Sequence, residues 1–188
     1  MDLSPKINKI ELTHEIAGDQ LAWRNDSRIN RWTRQNGIIN EFDMHNWFER
    51  VTQDSTVRMF GVKVLSTKLR EGQGPSIGEI VGTCGLTSIH HQHRHAEFSL
   101  LIAPKYHRQG WGELALKELF RYGFDQLNLH SIWGETFDLN PAIDLFTRIG
   151  MKRCGTLRER YFKFGKYVDC HFIEMLRDSY LSQGWRLE

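Results

Sequence analysis

"LLIAPKYHRQGWGELALKEL", residues 100–119, is the stretch on which the fold turns. An apolar strand ends at Pro104, a polar turn follows, and Gly110-Trp111-Gly112 opens a long helical stripe through Ala115, Leu116, Leu119, Gly123 and Leu127. That periodicity predicts a helix over 112–127. Glycine at its start lets the backbone approach a ligand closely, and the free N–H groups of a helix N-terminus suit a phosphate or pyrophosphate. A strand-to-helix turn that binds nothing is the plain alternative. A dinucleotide fold also competes, because Gly110, Gly112 and Ala115 satisfy G-x-G-x-x-A. Against it, that fingerprint follows its strand almost directly, whereas Lys105–Gln109 intervene here. Three expected strands also precede the motif, where a dinucleotide fold begins with it.

Those strands are expected at 57–65, 77–89 and 95–104. A polar stretch at 66–76 reads as an exposed loop, and "SIHHQHRHAEF" (88–98) as the connection from the second strand into the third. Upstream, Met44, Trp47, Phe48 and Val51 fall at i, i+3, i+4 and i+7, so a helix is expected from Asn40 as N-cap, with Asp43 in its first turn. Downstream, "SIWGETF" (131–137) reads as a buried strand. "NPAIDLFTRIG" (140–150) reads as a helix capped by Asn140, with Pro141 in its first turn and Gly150 at its end. "YVDCHFIEML" (167–176) reads as a last strand. Nothing repeats and no linker interrupts, so the fold class is α/β: one domain over 1–188 with a mixed sheet.

Composition narrows the function classes. The chain has 188 residues, 40% hydrophobic and 26% charged, with a net charge of +2. That balance argues against nucleic acid or an anionic membrane as partner. No run approaches about 18 apolar residues, and "MDLSPKINKIEL" lacks a signal-peptide core. Cys84, Cys154 and Cys170 are widely spaced and odd in number, which suits reduced, core-filling thiols in a cytoplasmic protein.

On these motifs the chain resembles the GNAT superfamily of N-acetyltransferases. Its signature is a strand, a turn of form Q/R-x-x-G-x-G/A, and a helix whose N-terminal amides hold the pyrophosphate of acetyl-CoA. The six positions here run from His107 to Gly112, with histidine replacing the usual first residue. "PKYHRQGWG" is similar to the subgroup of ribosomal-protein N-terminal acetyltransferases. "NPAIDLFTRIGM" resembles the family's N-x-x-A-I-x-L-Y-x-K-x-G-F segment, one residue shorter. "QLAWRNDSRINRW", "HNWFERV" and "LRERYFKFGKYVDCHFIEML" resemble enzymes that acetylate nucleotide-linked amino sugars. The likeness covers about 10–177, leaving a tail at 178–188. It implies a mostly antiparallel sheet with acetyl-CoA at splayed central strands.

The resemblance implies cofactor contacts from the main chain of Leu101, Ile102 and Ala103, from His107, Arg108, Gln109, Gly110, Trp111, Gly112 and Glu113, and from Asn140 and Phe146. Phe146 stands where many members carry the tyrosine that protonates the departing thiolate, so Tyr161 or Tyr167, or solvent, is expected to serve instead. Acetyl transfer needs a neutral amine and hence a base. Alternation places Glu97, Ser99 and Leu101 on one face of their strand and Ala96, Phe98, Leu100 and Ile102 on the other. A glutamate heading an otherwise apolar strand makes Glu97 the first candidate base and Glu135 the second. Trp23, Arg24 and Asn25, in the N-terminal helical region, are candidates to contact the acceptor, with Trp32 and Trp47 as further aromatic walls or core. His90 and His91 are candidates at the pocket rim. No metal is expected, because the histidine turn offers no obvious support for one.

The function expected is therefore direct acetyl transfer to a primary amine of a small acceptor, with a nucleotide-linked amino sugar preferred. A peptide N-terminus is the alternative, and a non-catalytic acyl-CoA sensor a further one. A polyamine is less expected, since composition gives no hint of an acidic acceptor surface. A homodimer is compatible with this reading.

Overall fold

The computed structural model describes residues 5–67 and 74–187; part of the expected 66–76 loop lies outside that range. Seven strands form one sheet in the order β1-β2-β3-β4-β5-β7-β6. They are β1 (Lys6–Glu11), β2 (Arg58–Ser66), β3 (Ile80–His90), β4 (His95–Ile102), β5 (Ser131–Phe137), β6 (Lys152–Lys163) and β7 (Lys166–Leu176). The helices are α1 (His14–Asn25), α2 (Ser27–Asn30), α3 (Glu41–Gln53), α4 (Trp111–Arg121), α5 (Ile143–Arg148) and α6 (Arg177–Leu181). Pairing is antiparallel except between β4 and β5, which gives the expected mixed sheet.

Local chemistry sets the boundaries. Asn40 caps α3 as expected, its Oδ1 accepting the Asp43 N–H at 2.8 Å. Met44, Phe48 and Val51 are buried with Leu12, Ile16, Ala17 and Val57, whereas Trp47 is only half-buried beside them. This cluster seats α1 and α3 on one face of β2. Gly61 belongs to that face, since a Cβ there would stand 2.6 Å from Ile16 Cδ1. Its neighbour Val62 points the other way, as strand alternation requires, into a larger core with Ala115, Leu116, Leu119 and Phe120 of α4. The expected helix over 112–127 is shorter: after Arg121 the chain loosens into a π-helical turn at Tyr122–Gln126.

Two further expectations need correction. The helix expected at 140–150 spans only Ile143–Arg148. Asn140 Oδ1 accepts from the Ala142 N–H at 3.0 Å, so it closes a turn ahead of the helix instead of capping its first residue. Gly150, at φ 101, does end it. Cys154 is exposed, while Cys84 and Cys170 are buried. Burial pushes both of these thiols up to about 12, so neither is a thiolate nucleophile.

The feature that positions the site is the meeting of β4 and β5. They pair only at His95–Ser131, Ala96–Ile132 and Glu97–Trp133. Beyond that they part, and the Phe98 ring lies across the divide against Gly134. A Cβ at 134 would stand 2.4 Å from that ring, so glycine is what admits it. Phe120 and Phe146 meet the same ring edge-on, at centroid distances of 6.1 and 5.3 Å.

Candidate active site

The glycine turn follows β4 through a 3₁₀ turn at Pro104–Tyr106. Glu79 anchors it by accepting from the Tyr106 hydroxyl and from Lys105 Nζ, the latter at 2.8 Å. His107 turns its ring back onto the Ile102 carbonyl, Nε2 to O 2.8 Å. Arg108 and Gly110 both take left-handed conformations, φ 59 and 89, and curl the main chain into a nest. The N–H groups from Arg108 to Gly112 donate to no protein acceptor among the described residues. A row of free amides at the start of α4 has the chemistry to hold a phosphate-bearing ligand. Gly112 keeps the cleft floor low, since a Cβ there would already stand 3.3 Å from Leu145 Cδ2.

The cleft over this turn has a volume of about 320 Å³ and is lined by Leu100, Leu101, Ile102, His107, Arg108, Gly112, Asn140, Ala142, Leu145 and Phe146, with Ile29, Trp32 and Thr33 opposite. Among the residues expected to touch a cofactor, the main-chain assignments need correction. The Ala103 N–H bonds to the Val81 carbonyl at 2.8 Å, and Ala103 is fully buried. By antiparallel alternation Leu101 also spends its main-chain groups on β3. The Ile102 carbonyl is held by His107. Leu100 is the residue left with N–H and C=O facing the gap. Trp111 is buried in the core, its indole N–H donating to Gln109 Oε1 at 3.3 Å, so both side chains brace the turn. The Glu113 carboxylate is ion-paired with Lys117 at 3.0 Å and Arg148 at 3.2 Å.

From Leu100 and Leu101 the cleft continues into two small adjoining chambers of about 170 Å³ each. Gln20, Arg24, Arg34 and Ser99 line both; Glu97, Thr87 and Trp47 line the far one, and Trp32, Thr33 and Thr83 the near one. The three expected catalytic residues gather around Arg34, which sequence reasoning missed, although only Glu97 lines a chamber. The Arg34 guanidinium donates to Glu97 Oε1 at 2.7 Å and stands 3.7 Å from Glu135 Oε2. That same oxygen accepts the Tyr161 hydroxyl at 2.7 Å and the Cys170 thiol at 3.5 Å. Tyr161 reaches it because β6 bulges between Leu157 and Tyr161, with Glu159 at φ 52.

Burial is the largest influence on Glu97 and pushes its carboxyl above the ordinary range; Arg34 opposes this and Glu135 adds to it. Burial also works against the Arg34 cation, but the two carboxylates outweigh it and its value rises. Tyr161 is raised by burial and by its bond to Glu135. Glu97 is therefore a partly desolvated carboxylate facing a cavity, the environment of a general base.

The acceptor residues expected from sequence divide. Arg24 lines both chambers. Trp23 instead packs against the main core. Asn25 pins the loop before α3, donating to the Ile39 carbonyl at 2.7 Å and accepting from the Ile39 N–H at 2.9 Å. His90 and His91 sit exposed at the β3–β4 hairpin tip and line neither chamber; His90 Nδ1 accepts the His93 N–H at 3.1 Å.

A parted parallel strand pair, a glycine nest at its end and a carboxylate beyond it together make up the site. Residues 10–152 match the family model described as an acetyltransferase (GNAT) domain, and the chain belongs to that family. It is 32% identical over 106 residues to a spermidine N(1)-acetyltransferase of Vibrio cholerae, covering 56% of this chain and 61% of that one. It is also 32% identical over 107 residues to the Escherichia coli K12 protein of the same name, covering 56% and 58%. The match thus spans about three fifths of these curated relatives. Among solved structures, the spermidine N-acetyltransferase of Vibrio cholerae in complex with CoA and spermine superposes with a TM-score of 0.83 at 23% identity, over 94% of this chain and 99% of that one. That likeness speaks for the fold.

Proposed function

We propose that the protein is an acetyl-CoA-dependent N-acetyltransferase that acts on a small primary amine by direct transfer. The observation that carries this reading is continuity. Trp32, Thr33, Leu100 and Leu101 line both the cleft over the glycine turn and the near acceptor chamber, which leads on to Glu97. The free amides of residues 108–112 fit a pyrophosphate, and the Leu100 main chain fits an amide-bearing arm laid in the gap. The thioester then meets the amine near Glu97. As the new C–N bond forms and the C–S bond breaks, Glu97 takes the amine proton. The departing thiolate, with an ordinary thiol pKa near 8.5, takes its proton from water without a dedicated acid. Phe146 then needs no hydroxyl.

The sequence favours a nucleotide-linked amino sugar as acceptor. The spermidine N(1)-acetyltransferase names of the relatives favour a second reading, a polyamine. The decisive experiment is a thiol-release assay with acetyl-CoA against amino-sugar nucleotides, amino acids, polyamines and peptides. CoA release above the hydrolysis background with at least one amine is expected. Release with none of them refutes the enzyme reading.

A further inference from the structure

We propose that the acceptor chamber contains an anion subsite formed by Arg24 and Gln20, so that the acceptor is a small amine that itself carries a carboxylate or phosphate. This rests on the transferase reading above and narrows its substrate class.

Arg24 lies in the last turn of α1, where the helix dipole favours a cation, and its side chain is half-buried. Its Nε donates to Gln35 Oε1 at 3.2 Å. Its two terminal nitrogens donate to no acceptor among the described residues, and no carboxylate there lies within 4.0 Å. Several arginines of the chain are paired instead. Arg28 pairs with Asp26 at 2.6 Å, Arg148 with Glu113 at 3.2 Å, and Arg34 with two carboxylates. Burial and the neighbouring Arg34 cation both depress the Arg24 guanidinium, and no carboxylate among the described residues offsets that cost.

Gln20 points the same way. It is 2% exposed, and its Oε1 is occupied by the Thr83 hydroxyl at 2.9 Å. Its NH₂ has no acceptor among the described residues, yet the residue lines both chambers. A nearly buried amide donor and an unpaired guanidinium on one cavity of about 170 Å³ select an anion. The same cavity carries Glu97, so the amine and the acid of the acceptor are close together. A polyamine meets the reverse. Its trailing ammonium would face Arg24, and the carboxylates that could hold it are engaged by Arg34.

The test compares kcat/KM for amines with a carboxylate, amines with a phosphate, uncharged amines of similar size, and spermidine. The wild type is expected to prefer one of the anionic sets, and which set identifies the anion. R24Q should narrow the preference for anionic over neutral amines about tenfold or more, chiefly through KM, R24K should restore most of it, and R24E should turn it toward spermidine. A wild type that prefers spermidine, or an R24Q variant with the wild-type preference, overturns the proposal. If no amine is acetylated, the transfer reading fails. The subsite is then judged by titrating inorganic phosphate and acetate into the CoA-saturated protein, followed by tryptophan fluorescence. Binding weakened about tenfold in R24Q supports it, and absence of binding to the wild type refutes it.

Discussion

Replacing Glu97 by glutamine removes the proposed base and little else. The amide keeps the size and an acceptor oxygen for Arg34, which also retains Glu135 at 3.7 Å. The Arg34 side chain is 52% exposed, so water takes up what the lost charge leaves. Folding is therefore expected to survive, with a melting temperature within a few degrees of wild type, on the order of 1 kcal/mol for a chain of this size. CoA affinity should hold, because Glu97 lines the far chamber and not the cleft over the glycine turn. Turnover is another matter. A positioned general base contributes about 10²–10⁴ in rate, roughly 3–5 kcal/mol of barrier, and that fall is expected in kcat. Its pH signature follows from burial. The Glu97 carboxyl titrates above the ordinary range, and only the ionised form accepts a proton, so wild-type activity falls as pH drops through that raised value. In the variant this limb disappears. The assay is thiol release from pH 5 to 9 at saturating acetyl-CoA, with CoA binding measured separately. Turnover within about threefold of wild type, with the acid limb intact, would refute Glu97 as base.

Gly134→Ala should cost about 1–3 kcal/mol, because its methyl would stand 2.4 Å from the Phe98 ring and the parted strands cannot move without disturbing Phe120 and Phe146; thermal denaturation reads it, and an unchanged midpoint would show that the ring has room to retreat. Phe146→Tyr adds a hydroxyl at the cleft wall beside the expected thiolate, and kcat should change by less than about threefold if solvent already protonates that group. A tenfold rise would show that leaving-group protonation limits the wild-type enzyme.

What the sequence made legible was local. Asn40 ahead of Met44, Phe48 and Val51 announces α3, and "SIWGETF" coincides with β5. The turn at 107–112 was readable because glycine and a strand-to-helix switch are properties of neighbouring residues. β6 was not readable. "KRCGTLRERYFK" is rich in charge and bulges between Leu157 and Tyr161, so it lacks the two-residue alternation of a half-buried strand. The same bulge turns Tyr161 toward Glu135, which spacing alone could not foretell. Arg34 was missed for a related reason. It sits in an irregular segment between α2 and α3, and its partner Glu97 lies 63 residues away. Trp23 is expected at the acceptor as an aromatic wall and Asn25 as a polar residue at a helix end, yet neighbouring helix positions face different directions. Arg24 faces the cavity, Trp23 the core and Asn25 a loop.

The parting of β4 from β5 has a consequence for affinity. Once the pairing ends at Glu97–Trp133, the Leu100 amide and carbonyl go without the neighbour that sheet geometry otherwise supplies. The Phe98 ring packs against Gly134 where the two strands part. The β4 edge beyond Glu97 thus presents main-chain groups that β5 does not bond. A molecule that brings its own amides finishes the sheet as a temporary strand, without first having to pry two partners apart. Tight binding of such an arm would then owe as much to what the fold refuses to bond with itself as to any side chain that touches the ligand.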